Sequence, residues 1–521
     1  MAKQTRSTLF TALLIAGMSF APFAGAVLAQ PAGNPSSEGR DQARERISSS
    51  SLPRLPSPSV THHVIEIDGK KLAFTATVGA MSIIDTRGEV QAEIGFTAYS
   101  LDGADRTERP VTIAVNGGPG AASAYLNLLA LGPWRLPLGA KTISPSAPVT
   151  PMVNAETWLA FTDLVFIDPP GTGYSRVLGN DEVRRRFYSV EGDIQLLSSA
   201  IARWMKENDR LVSPKFFVGE SYGGFRGPLL AEELQTEQGI GFSALVLVSP
   251  VLDFGWVFQP DHAPWAYAAR LPSYAAAAME AKGLPFDRQA LRDAETYAAT
   301  QYLSDLIRGL ADKDAVTRVS EKVAALTGLD PALVLRMAGR IDMRTFQREL
   351  HRARGEVVSA YDTGVSGLDP NPTAANSRFE DPVLTAMTAP LTSAMIDLLG
   401  NTLGYRVRDI RYELLNNSVN AAWDWGKGNR AQESLSALRR SMALDPAMQV
   451  LVVHGATDLV TPYYASQILL DQLPDLGDGT RAQLKVYAGG HMFYSRDDSR
   501  KALSNDARDL FERALKARAT L

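Results

Sequence analysis

Gly219-Glu220-Ser221-Tyr222-Gly223 has the form G-x-S-x-G, a spacing that lets a serine hydroxyl stand clear of a sharp strand-to-helix turn. It follows the apolar stretch 216–218 and precedes a helix predicted over about 225–238. The two glycines permit the bend, and the helix N-terminus behind the serine favours developing negative charge. Alone the pattern is weak, because ordinary Gly and Ser frequencies produce it by chance in many chains. A second element strengthens it. Val115-Asn116-Gly117-Gly118-Pro119-Gly120 follows another apolar strand, about a hundred residues earlier. Acyl transfer needs donors for an oxyanion, one from the amide after the nucleophile and one from an earlier loop. The backbone N–H groups of Tyr222 and Gly118 are the candidates.

A serine nucleophile needs a base, and the base needs an orienting acid. The chain holds six histidines: His62, His63, His262, His351, His454 and His491. His491, in Ala488-Gly489-Gly490-His491-Met492, follows the strand predicted over 484–487. Asp458 closes His454-Gly455-Ala456-Thr457-Asp458, after the strand predicted over 448–453. The order Ser221, Asp458, His491 is that of the α/β-hydrolases. His454 is the rival base, but it precedes the acid and sits tight against a strand end. The other four histidines read as surface or helix-packing residues.

These residues need a rigid sheet to position them. Short Val/Ile/Leu runs at 111–115, 163–167, 216–218, 244–248 and 448–453 are separated by helical patterns in several places. Ile194, Leu197, Ile201 and Trp204 share one helical face. Together they predict an α/β-hydrolase, a mostly parallel central sheet covered by helices on both faces. Stretches 72–78 and 93–99, joined through Asp85-Thr86-Arg87-Gly88, predict an antiparallel hairpin or meander ahead of it. Between 255 and 444 the alternation stops and the sequence reads mainly helical, broken by a Gly/Pro/Asn-rich stretch at 363–376. We read a helical cap inserted between core halves 61–254 and 445–521; an independent second domain is the alternative.

Composition narrows the chemistry. The 521 residues contain no cysteine, which excludes disulfides, thiolate metal sites and a cysteine nucleophile. There is no H-E-x-x-H, Walker loop or G-x-G-x-x-G fingerprint, so no metal or organic cofactor is called for. A net charge of −4 gives no support for a nucleic-acid partner. Lys3 and Arg6 precede an apolar run ending near Ala24, with small residues at Ala24-Gly25-Ala26 and Val27-Leu28-Ala29. This is the pattern of a secretory signal over 1–29, cut near Ala29 or Ala26. An uncleaved anchor is the alternative, though Ser19 and Pro22 interrupt a run shorter than the ~20 residues of a span. Residues 30–60 read as a disordered linker. The exported chain, with a bacterial periplasm preferred, is expected to keep no stable membrane insertion.

With these segments in hand, the chain resembles the serine carboxypeptidase family. That family carries an N-G-G-P-G loop, a G-E-S-Y-[AG]-G elbow, and a late G-x-x-D followed by G-H-M. Here they read Asn116 to Gly120, Gly219 to Gly224, Gly455 to Asp458 and Gly490 to Met492. Leu164-Val165-Phe166-Ile167-Asp168, continuing to Gly171-Thr172-Gly173-Tyr174-Ser175, also looks like the family. The resemblance implies cleavage of C-terminal residues from peptides: Ser221 attacks, His491 shuttles the proton, and Asp458 orients the imidazole. Gly118 and Tyr222 would form the oxyanion hole. Asn116, Gly117, a protonated Glu220 and Met492 would contact the substrate, with Asn116 and Glu220 on its terminal carboxylate. Three positions depart from the family. Ala114 stands for its tryptophan, Ala130 for a second glutamate, and Ala121 for a cysteine. The first two thin out the carboxylate clamp, and Arg135 could add a contact. An esterase or acyltransferase on the same scaffold, another serine peptidase, and a binding module on an inactive hydrolase fold are the alternatives.

Overall fold

The computed structural model describes residues 54–520 except 139–141, 147–149, 258–259, 428–430 and 478. The predicted signal and most of the predicted linker lie outside the described residues. The linker's last residues do not: a strand already begins at Ser59.

The main sheet is built from β1 (Ser59–Ile67), β2 (Lys70–Ile84), β3 (Val90–Leu101), β4 (Val111–Val115), β5 (Asp163–Ile167), β6 (Lys215–Glu220), β7 (Ala244–Val248), β8 (Gln449–Gly455) and β9 (Ala482–Tyr487). Their spatial order is β1-β2-β3-β5-β4-β6-β7-β8-β9, and the short strand Arg176–Val177 pairs with β3. The run from β5 to β9 is parallel. The β1–β2–β3 meander adds antiparallel to its edge. β4, β5, β7 and β8 are buried along their whole length and β6 at every position after Lys215, as the continuous apolar runs require of strands covered on both faces.

Alternation of side chains divides the core in two. Ile113, Phe217, Leu245 and Val452 pack on one face with Ile194, Leu197, Ile201 and Trp204 of the helix Val190–Glu207. Phe216, Val218, Val246 and Val453 pack on the other with Leu503, Leu510 and Phe511 of the helix Asp497–Ala519. Phe216 and Phe511 stack with ring centroids 3.7 Å apart.

Between β7 and β8 lie mainly helices, among them Pro264–Ala281, Lys313–Thr327, Met343–Glu349 and Leu384–Asp397. The Gly/Pro/Asn-rich stretch contributes a strand, Ser366–Leu368, paired antiparallel to Glu356–Val358. One boundary needs correction. The helix Leu435–Leu444, predicted as the end of the cap, buries Leu438 and Met442 on the sheet face beside Leu230 and Leu234. It is a helix of the core. The apolar cluster of these helices is not isolated either, because Tyr302, Val319, Val323 and Phe346 continue into Ala456 and Leu459 of the Asp458 loop and Tyr463 of the helix Tyr463–Leu470.

Candidate active site

The candidate residues leave the carboxyl ends of neighbouring parallel strands, where ligands of open α/β sheets bind. Val115 lies beside Gly219, and Glu220 beside Val248, so the loops after β4, β6 and β7 converge. Ser221 takes φ 60° and ψ −120°, a conformation costing a non-glycine residue on the order of 1–3 kcal/mol. Its surroundings hold it there: its N–H donates to the Val248 carbonyl at 2.9 Å, and its carbonyl accepts from Gly224 N at 2.9 Å. The elbow glycines are sterically required. A Cβ at Gly219 would strike the Gly223 carbonyl, and one at Gly223 the Val115 carbonyl. The helix Tyr222–Glu237 starts directly after the serine.

The Asn116–Gly120 loop packs down on this elbow. A Cβ on Gly117 would lie 2.5 Å from the Tyr222 amide nitrogen, so only glycine allows the approach. Gly118 and Gly120 adopt φ of +100° and +106°. Behind the loop, Arg226 Nη1 donates to the Asn116 carbonyl at 2.6 Å while its Nε donates to Asp193 Oδ2 at 2.6 Å. Both side chains of this ion pair are 0% exposed. The Asn116 amide donates to Ser123 Oγ at 3.1 Å, and that hydroxyl donates to the Ile167 carbonyl at 2.5 Å.

His491 and Asp458 meet at 2.8 Å between Nδ1 and Oδ2. The second carboxylate oxygen of Asp458 accepts from the amides of Val460 at 2.8 Å and Thr461 at 2.9 Å. The Thr461 hydroxyl sits 2.7 Å from Asp458 Oδ2, 3.0 Å from His491 Nδ1 and 3.0 Å from the Ser249 carbonyl. Burial opposes a charged imidazole here, but attraction to Asp458 and its hydrogen bond outweigh it, leaving His491 above its ordinary pKa. The segment between β7 and β8 braces the loop: the His491 amide donates to the Tyr361 carbonyl, and the Tyr361 ring stands edge-on to the imidazole at 5.3 Å. Ser221 and His491 line one cavity of about 420 Å³. No hydrogen bond joins them, and such contacts often tighten only when substrate arrives.

Asn116, Gly117, Gly118, Glu220, Tyr222 and Met492 line the same cavity. Asn116 Nδ2 donates to Glu220 Oε2 at 2.5 Å, and the Tyr494 hydroxyl donates to Oε1 at 2.7 Å. Glu220 is 2% exposed. Burial raises its pKa above the usual carboxyl value, against the pull of His491, Tyr494 and Asn116.

Other predicted positions stand apart. Arg135 lies in the short strand Trp134–Arg135, 3.6 Å from Asp497 Oδ1, and does not line the cavity, so it adds nothing to a clamp there. Ala114 and Ala130 are buried. His454 is wholly buried on β8 and bonded through Nε2 to Ser466 Oγ at 2.9 Å. Sequence reasoning missed Thr461, Tyr494, Tyr125 and the cap residues Arg344, Tyr361 and Phe379. Thr461 and Tyr494 each lie three residues beyond a predicted site residue, which was the available signal; the cap residues had none.

The sequence profile of the family described as serine carboxypeptidase matches residues 96–262, the stretch carrying the Asn116 loop and the Ser221 elbow. The pheromone-processing carboxypeptidase KEX1 of Chaetomium globosum is 31% identical over 185 residues, 34% of this chain and 26% of that protein. Serine carboxypeptidase-like 47 of Arabidopsis thaliana is 26% identical over 140 residues, 26% of this chain and 25% of that protein. The match thus spans about a quarter of the length of these two relatives. The crystal structure of Kex1(delta)p, a prohormone-processing carboxypeptidase from Saccharomyces cerevisiae, superposes with a TM-score of 0.51 at 15% identity, over 89% of this chain and 94% of that one. The protein therefore has the α/β-hydrolase fold, and over residues 96–262 its sequence matches the serine carboxypeptidase family.

Proposed function

We propose that the protein is a serine-type carboxypeptidase that removes C-terminal residues from peptides through an acyl-enzyme. Ser221 Oγ attacks the last peptide carbonyl as His491 Nε2 takes its proton. Asp458, bonded to Nδ1, holds the ring and stabilises the imidazolium. The amides of Gly118 and Tyr222 receive the oxyanion, a contribution worth about a hundred- to a thousand-fold per donor. His491 returns the proton to the leaving amine, then activates water against the ester. Asn116 and protonated Glu220 hold the terminal carboxylate, with Gly117 and Met492 beside it.

The observation that carries this reading is the buried Asn116–Glu220 pair in the cavity of Ser221. An acyl-transfer site needs no such pair, whereas a terminal carboxylate needs donors. The test compares a peptide with its C-terminal amide, with mass spectrometry following which end shortens. Equal turnover of the two would instead favour an esterase, acyltransferase or other serine peptidase on this scaffold. Fluorophosphonate labelling that survives Ser221→Ala would overturn the nucleophile. The N-terminal pattern supports export to a bacterial periplasm, and sequencing the N-terminus of the processed protein checks the cut near Ala29 or Ala26.

A further inference from the structure

Tyr125 lines the candidate cavity together with Asn116, Glu220 and Ser221. The residue is 3% exposed, yet its hydroxyl has no hydrogen-bond partner among the described residues. Leaving a hydroxyl buried and unpaired is unfavourable, so such a group at the wall of a binding cavity points to a ligand atom. Burial holds it protonated, with Tyr361 and Glu220 near enough to reinforce that effect. It is thus a fixed neutral donor close to the carboxylate clamp.

The donors already in place leave room for it. Asn116 Oδ1 accepts from the Leu126 amide at 3.0 Å, and one Nδ2 hydrogen goes to Glu220. Of the hydrogens of this pair, the second Nδ2 hydrogen and the acidic proton of Glu220 remain, against the roughly four acceptor sites of a carboxylate. Tyr222 also lines the cavity with an unpaired hydroxyl. Its ring, however, sits over the Arg226 guanidinium at 4.6 Å and edge-on to Trp423 and Trp425, and the carboxylate it feels is Asp193. The carboxyl group that Tyr125 feels is instead Glu220. Its backbone belongs to the same turn, since the next residue's amide is the one bonded to Asn116.

We propose that Tyr125 is a substrate-binding residue whose hydroxyl is a further donor to the terminal carboxylate of the peptide. The inference rests on the carboxypeptidase reading and deepens it. Tyr125→Phe removes one oxygen and keeps the ring, so two readouts move in opposite senses. A hydrogen bond to a carboxylate corresponds to about ten- to a hundred-fold in affinity. The ratio of kcat/KM for a free-acid peptide over its C-terminal amide should therefore fall by about that factor. Thermal stability of the unliganded variant should be unchanged or higher, because an unsatisfied buried hydroxyl has been replaced by hydrogen. If wild type discriminates strongly and Tyr125→Phe keeps the same ratio, the inference is overturned and the carboxypeptidase reading stands. A fall in Tm with the ratio preserved makes Tyr125 a packing residue and also overturns it. If wild type turns over acid and amide alike, the carboxypeptidase reading itself fails, and this inference with it.

Discussion

The Asn116 side-chain amide donates to Glu220 across 2.5 Å, although the two residues are 104 positions apart in the chain. Asn116 follows β4 and Glu220 ends β6, and the β4–β6 register brings these strand ends together. Glu220 is held above the ordinary carboxyl pKa by burial, and His491 above the ordinary imidazole pKa by Asp458, with Glu220 contributing. Binding a carboxylate requires Glu220 protonated, so activity falls as pH rises through its raised pKa. Base catalysis requires His491 neutral, so activity also falls as pH drops through its own. The two interact, and the bell belongs to the pair rather than to either residue. Glu220→Gln keeps a donor, so its loss at the optimum should stay within about tenfold. It removes the alkaline limb and leaves the acid limb near its wild-type position, because Glu220 is protonated and uncharged there. A kcat/KM profile for Glu220→Gln with the same shape as wild type would refute this.

Thr461 braces the charge pair through a single hydroxyl, 2.7 Å from the carboxylate and 3.0 Å from the imidazole. Thr461→Val preserves shape and deletes the donor. Hydrogen bonds to charged groups contribute about 1.5–3 kcal/mol, or about ten- to a hundred-fold in rate. The fall should appear in kcat with KM little changed, because Thr461 acts through Asp458 and His491. Steady-state kinetics on one peptide decide it; a change confined to KM would mean that Thr461 contacts substrate instead.

Much of this arrangement was legible in the sequence because backbone geometry dictated it. The glycines of the elbow and loop are there because a Cβ would collide with neighbouring backbone, and such requirements leave fixed spacings. The parallel strands announced themselves as unbroken apolar runs. What stayed hidden depends on contacts between distant segments. Nothing near Arg226 says that it meets Asp193 and the Asn116 carbonyl. For the helix Leu435–Leu444, amphipathic periodicity tells that it is half buried but not that it packs on the sheet rather than in the cap. Arg348 likewise fastens the Gly/Pro/Asn-rich stretch through Asp369 and the carbonyls of Ala374 and Ala375, which composition alone describes as a loop.

The Arg226–Asp193 pair separates stability from positioning. Asp193→Ala leaves a buried guanidinium without its counter-ion, which should cost about 3–5 kcal/mol and lower Tm by several degrees. Replacing both by apolar residues of similar volume, Arg226→Met with Asp193→Leu, should recover much of that stability, since well-packed substitutes for buried ion pairs are often neutral. Activity should not return with it, because the bond from Arg226 to the Asn116 carbonyl is gone and the loop loses its anchor. Thermal melts and peptide turnover measured on the same samples test both halves. A double variant that is stable and fully active would show that the pair has no part in positioning Asn116.

His454 sets a limit on acid stability rather than taking part in the chemistry. It is 0% exposed, and burial pulls its pKa from 6.5 down to about 4, despite the nearby Asp458. The folded protein thus excludes a proton that the unfolded chain binds below about pH 6.5. The stability associated with this group is complete above that pH and is lost as pH falls towards 4, on the order of 3 kcal/mol in all. His454→Gln, which can still bond Ser466, abolishes this dependence. Its unfolding free energy should decline less steeply than that of wild type between about pH 6.5 and 4.5. Denaturant melts at several pH values give the two slopes, and parallel curves would mean that His454 accepts its proton in the folded state. Retention of fluorophosphonate labelling in the same variant, with Ser221 and His491 intact, separates this buried histidine from the base.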